Sequence, residues 1–102
     1  MREATRLKLE IIRVLLDGAF SVRGAKRWLK AHGFGISDKT YYRYDKTYVL
    51  PRLKPADPII DVWMVLEPEK YWRFRFNAEK KALKLLEKLR EKHGKKFRRA
   101  NC

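Results

Sequence analysis

The most constraining stretch of this 102-residue chain runs from Ser21 to Pro51: SVRGAKRWLKAHG, then FGISDKTYYRYDKTYVLP. Each half opens with a serine, whose hydroxyl can accept from the free N–H groups of a helix's first turn. Ser21 predicts a helix over Val22–His32, stopping at Gly33, the residue best suited to a left-handed C-terminal position. Ser37 predicts a second helix over Asp38–Leu50. It must end before Pro51, because proline disfavours helical backbone in the residue preceding it.

Helical spacing divides each segment into two faces. In the first, Val22, Ala25, Trp28 and Leu29 point inward, and Ala25 is small enough for a close helix crossing. Arg23, Lys26, Arg27 and Lys30 point outward with no acid among them. In the second, Tyr41, Tyr44 and Tyr48 face the core, with Val49 or Leu50 closing the end. Asp38, Lys39, Thr40, Tyr42, Arg43, Lys46 and Thr47 face out. Asp38 suits the helix dipole whether or not it meets a ligand. Phe34 and Ile36 of the turn plug the gap between the helices.

On either side the pattern changes. Arg2–Asp17 reads as an amphipathic scaffold helix whose apolar face is Ala4, Leu7, Ile11, Ile12, Leu15 and Leu16, with Asp17-Gly18 as its stop. Leu50–Pro58 holds three prolines and reads as an extended connector. Ile60, Val62, Met64 and Leu66, and later Trp72, Phe74 and Phe76, alternate with their neighbours around Glu67-Pro68-Glu69-Lys70, which favours a β-hairpin over residues 59–76. Runs of that length can also be short buried helices, and the alternation does not decide it. Asn77 reads as the cap of a last helix over Ala78–His93. Its stripe of Ala78, Ala82, Leu85, Leu86 and Leu89 suits either packing on residues 2–17 or pairing with a second copy. Residues 95–102 form a basic tail.

The net charge of +14, from 26 Lys and Arg against 12 acids, favours a polyanionic partner. It is spread over the fold: residues 1–51 carry eleven basic and five acidic side chains, residues 52–102 fifteen and seven. The apolar fraction of 45% argues for a folded globule rather than a basic tail. Absence of glutamine, with abundant Lys, Arg and Glu, leans thermophilic. No apolar run is long enough to cross a membrane and no signal peptide is evident, so a cytoplasmic protein is expected. One cysteine, Cys102, and two histidines offer neither an intrachain disulfide nor a zinc set. No catalytic constellation, Gly-rich phosphate loop or cofactor motif stands out, and a binding protein rather than an enzyme is expected.

Two capped helices around a glycine turn make a helix-turn-helix unit, whose second helix can lie in the DNA major groove. The run GISDKTYYRY (Gly35–Tyr44) resembles the turn and recognition helix of the helix-turn-helix and winged-helix DNA-binding superfamily. It differs at Tyr41, where Val or Ile is usual, and at Asp45, where an apolar residue is common. The resemblance implies an α+β, mostly α, winged-helix domain over residues 1–94: three helices, a hairpin wing at 59–76 and a C-terminal helix at 78–93. It further implies that Lys39, Thr40, Tyr42, Arg43 and Lys46 meet bases, with Arg43 donating to guanine. Arg23, Lys26, Arg27 and Lys30, with Lys70, Arg73 and Arg75 of the wing, would grip the backbone. The expected function is double-stranded DNA binding by a small, repressor-like transcription regulator of viral or plasmid origin, dimeric through its C-terminal helix. An RNA- or ribosome-associated basic protein, or a replication or partition adaptor, is the alternative.

Overall fold

In the computed structural model both serines cap their helices. It describes residues 2–54 and 59–100, with residues 94–100 described by backbone alone. The Ser21 hydroxyl accepts from the Gly24 N–H at 3.0 Å, and that of Ser37 from the Thr40 N–H at 3.1 Å. The order is α1 (Glu3–Asp17), α2 (Val22–Ala31), α3 (Asp38–Tyr48), a 3-10 turn over Leu50–Arg52, α4 (Ile59–Leu66) and α5 (Pro68–Ala100).

Helices α1 and α2 end in the same way. Beyond α2, Gly33 takes a left-handed φ of 91°, and the N–H groups of Phe34 and Gly33 bond back to the carbonyls of Leu29 and Lys30 at 3.1 and 3.0 Å. Beyond α1 the matching bonds run from Phe20 to Leu15 and from Ala19 to Leu16, at 3.1 and 3.3 Å. Here the left-handed residue is Ala19, with φ 68°, and not the neighbouring glycine. Gly18 is needed for space instead: a Cβ on it would lie 2.1 Å from the Ala78 Cβ. The glycine read as a stop signal is a packing residue, and an alanine carries the conformation that glycine holds most easily.

α1 is the centre of the molecule, packing on α5, α2 and α3. Contact on two sides explains why Leu9, outside the predicted stripe, is as buried as Ile11, Ile12 and Leu15. These residues join Ala25, Leu29, Tyr41, Val49, Ala82, Leu86 and Leu89 in one core cluster. Asp17 ties the following connector to α1: its carboxylate accepts from the Lys54 N–H at 2.9 Å and from the Arg13 guanidinium at 3.1 Å. Of the expected connector, residues 55–58 lie outside the described residues, and Leu50–Arg52 is a 3-10 turn rather than extended chain.

The expected hairpin is not formed, and the α+β winged-helix class falls with it. Among the described residues all regular structure is helical. Residues 59–66 are α4, and α5 runs from Pro68 across the expected second strand, the expected Asn77 cap and Gly94 as far as Ala100. Three physical reasons account for the difference. Proline fixes the φ that a first helical turn requires, so Glu67-Pro68-Glu69, a proline among acids, is a helix start rather than a hairpin tip. The Glu67 N–H closes α4 on the Trp63 carbonyl at 2.9 Å, while the Glu67 carbonyl accepts from Lys70 and Tyr71 to open α5. Finally, the stripe of Ala78, Ala82, Leu86 and Leu89 continues backwards through Tyr71, buried one helical repeat earlier. The alternation of Trp72, Phe74 and Phe76 is one of residue type only: Trp72 and Phe76 are exposed, and Phe74 is half-buried against Trp63. The α5 stripe itself is spent on α1, the first of the two pairings that the sequence left open.

Candidate nucleic-acid interface

Helices α2 and α3 hold the predicted inward and outward sets apart. Ala25, Leu29 and Tyr41 are fully buried, Val22, Trp28, Tyr44 and Tyr48 half-buried, and Val49 rather than Leu50 closes the end of α3. Lys39, Tyr42, Arg43 and Lys46 are exposed along one side of α3, with Tyr42 60% open. Arg23, Arg27 and Lys30 are exposed on α2.

Two of the predicted contact residues on α2 and α3 are already engaged. Lys26 pairs with the Asp38 carboxylate at the first turn of α3 and lies 5.0 Å from the ring centres of both Tyr41 and Tyr42. It therefore straps α2 to α3, with its charge largely answered inside the chain. The Thr40 hydroxyl accepts from the Ser37 hydroxyl at 2.9 Å, so it belongs to the cap as much as to the surface. Arg23, Arg27 and Lys30 have no ion-pair partner among the described residues.

The exposed side of α3 stands between two clefts. On the α2 side, an open cleft of about 490 Å³ is lined by Arg23, Lys26, Arg27 and Lys30 together with Asp38 and Tyr42. On the α1 side, Arg2 and Thr5 meet Thr40, Arg43 and Tyr44 around a second cleft of about 480 Å³. The Arg43 guanidinium lies 5.7 Å from the Tyr44 ring centre, which supports the side chain without neutralising it. The result is a ridge carrying Tyr42 and Arg43, with basic side chains in the hollows to either side.

Sequence reasoning missed the contribution of α1, whose polar face reads as simple solvated surface. Arg2 lines the same cleft as Arg43, and the Lys8 ammonium donates to the Gly35 carbonyl at 2.9 Å, fastening the turn between α2 and α3 to α1. Burial pushes the Lys8 pKa below its ordinary value. It also missed Asp45, which is buried on α3 with one carboxylate oxygen lacking a partner among the described residues. The departure from the family pattern at Asp45 and Tyr41 was the available signal. The Tyr41 hydroxyl is likewise buried without a partner among the described residues, and burial, then the Asp45 charge and Tyr42, push its pKa up.

The three expected wing residues are not brought to this ridge as a wing. They lie on α5, which packs chiefly on α1 and α4. Lys70 pairs with Glu67 at 3.0 Å, and Arg73 is exposed. Arg75 is structural: its guanidinium sits 3.9 Å from the Phe20 ring centre and donates to the Tyr71 hydroxyl at 3.1 Å.

No group of three or more metal-ligating side chains occurs among the described residues, and no helix among them is long and apolar enough to cross a membrane. No protein-family model, curated protein or solved structure matches the chain.

Proposed function

We propose that this protein binds double-stranded DNA through α3, acting as a small transcription regulator. The observation that carries the reading is the α3 ridge of Lys39, Tyr42, Arg43 and Lys46, flanked on both sides by basic clefts. A helix presenting cations and one aromatic fits a major groove about 12 Å wide, with backbone phosphates falling where the flanking side chains lie. Arg43 is the residue for base recognition, because its planar guanidinium can donate two parallel bonds to guanine. Arg23, Arg27, Lys30 and Arg2 supply charge to phosphate whatever the sequence. Without a wing, backbone contact from the far side falls to α1 rather than to a hairpin.

The test is a binding titration with selected and random duplexes over a salt series. Affinity is expected to fall steeply with salt. Arg43→Ala is expected to cost about 1–3 kcal/mol on the selected duplex and much less on random DNA, whereas Arg27→Ala weakens both alike. If Arg43→Ala distinguishes the two duplexes as the native protein does, α3 is not the reading helix. Stronger binding to structured RNA than to any duplex moves the protein to the alternative of an RNA-associated basic protein.

A further inference from the structure

We infer that α4 is the contact surface of a homodimer, a second copy of this chain being its occupant. The helix reads IIDVWMVL, apolar around its circumference except for Asp61, a composition that belongs inside a protein rather than on its surface. Ile60 and Trp63 are half-buried, and Trp63 rests on Phe74 of α5. Val62, Val65 and Leu66, three and four apart, form a strip on the open side, with Met64 on the other flank. Val65 and Leu66 are each 73% exposed.

Area and charge both point to a second copy. Val62, Met64, Val65 and Leu66, half to three-quarters open, present on the order of 350 Å² of apolar surface. The small end of stable interfaces, about 600 Å² per partner and about 57% apolar, calls for about 340 Å². Residues 59–69 contain no Lys or Arg and three acids (Asp61, Glu67 and Glu69), in a chain whose net charge is +14. Nucleic acid and anionic membrane are therefore the occupants this face suits least. It is also where two such strongly basic chains can meet with the least repulsion. A two-fold contact places the same strip on both sides, so a single short apolar helix suffices for each copy. This contact is distinct from the α5 stripe, which is occupied by α1.

The mass of the full chain in solution tests the inference. Native protein is expected at twice the chain's 12.3 kDa, with dimerisation strengthening as salt rises and like charges are screened. That salt dependence is opposite in sign to DNA binding, and Arg43→Ala should leave the mass unchanged, so failure of one reading is separable from failure of the other. The exposed double variant Val65→Lys/Leu66→Lys is expected at a single chain's mass with unchanged helical circular dichroism. As a second measurement, Val62→Cys in a Cys102→Ser background should form a disulfide-linked dimer on mild oxidation, while Lys39→Cys should not. Native protein at one chain's mass overturns the inference. So does a dimer that survives the double lysine variant, or crosslinking no stronger through Val62→Cys than through Lys39→Cys.

Discussion

The α2–α3 pair and the α4–α5 segment are both helical, yet their helices are specified by different kinds of information. In α2 and α3 the instructions are local and sit at the ends: a serine hydroxyl on an N–H three residues on, and for α2 a left-handed glycine. In α5 they are distributed. No internal residue marks the helix, and only a stripe that must be followed from Tyr71 to Leu89 reveals it. End signals can be read from a few residues; a stripe emerges only when its beginning is known. The beginning here is a proline flanked by acids, which a hairpin tip and a helix start can share. The two regions differ in charge as well: the first is basic and presents a ridge, whereas the α4 end is acidic and presents an apolar strip.

The largest expected effect lies where α1 meets α5. Gly18 lies against Ala78, and a Cβ there would be 2.1 Å from the Ala78 Cβ and 3.4 Å from the Leu15 carbonyl. Neither neighbour is the tip of a flexible side chain, so the helices must move apart. Gly18→Val is expected to cost about 3 kcal/mol or more in denaturant unfolding, the upper range for overpacking. Gly18→Ala should already show most of the loss. If both variants unfold like the native protein, α5 does not pack on α1 at this point, and the contrast between a locally specified and a stripe-specified helix loses its anchor.

Gly18 also shows what could and could not be read from the chain. The DG dipeptide was legible as a helix stop, and α1 does stop there. What could not be read was that Ala19 holds the left-handed φ while Gly18 makes room for a residue sixty positions later, since space is a property of the packed state alone. The ridge on α3 was legible for a related reason: with both caps known, spacing fixes which side of α3 carries Tyr42 and Arg43. The engagement of Lys26 by Asp38, and of Thr40 by Ser37, depends on the crossing of two helices and on rotamers, which spacing does not set. The second cleft needed α1 to lie beside α3, a tertiary fact with no local mark. The wing failed because alternating residue types were read as alternating burial, and only burial distinguishes period two from period 3.6 in so short a run.

Of intermediate size are the two caps. Ser21→Ala and Ser37→Ala each remove the acceptor for a first-turn N–H, and each is expected to cost about 1 kcal/mol. Ser37→Ala should be the more costly for DNA binding, because that hydroxyl also positions Thr40 at the start of the ridge. Equal affinity for DNA across the native protein, Ser21→Ala and Ser37→Ala, alongside the expected loss of stability, would separate the cap from the interface.

The smallest effect has the sharpest sign. Asn77 has the residue type and position of a helix cap before Ala78, and as a cap its loss would resemble that of Ser37. In the structure it lies ten positions into α5 and is exposed. There it fixes no first turn, and asparagine is a poorer helix former than alanine by about half a kcal/mol. Asn77→Ala is therefore expected to raise the unfolding free energy by a few tenths of a kcal/mol, where a cap would lose about 1 kcal/mol. Thermal unfolding of Asn77→Ala beside Ser37→Ala reads the two helices in one experiment. Opposite signs mean that α5 is continuous through residue 77; a shared loss means that a helix begins at Ala78.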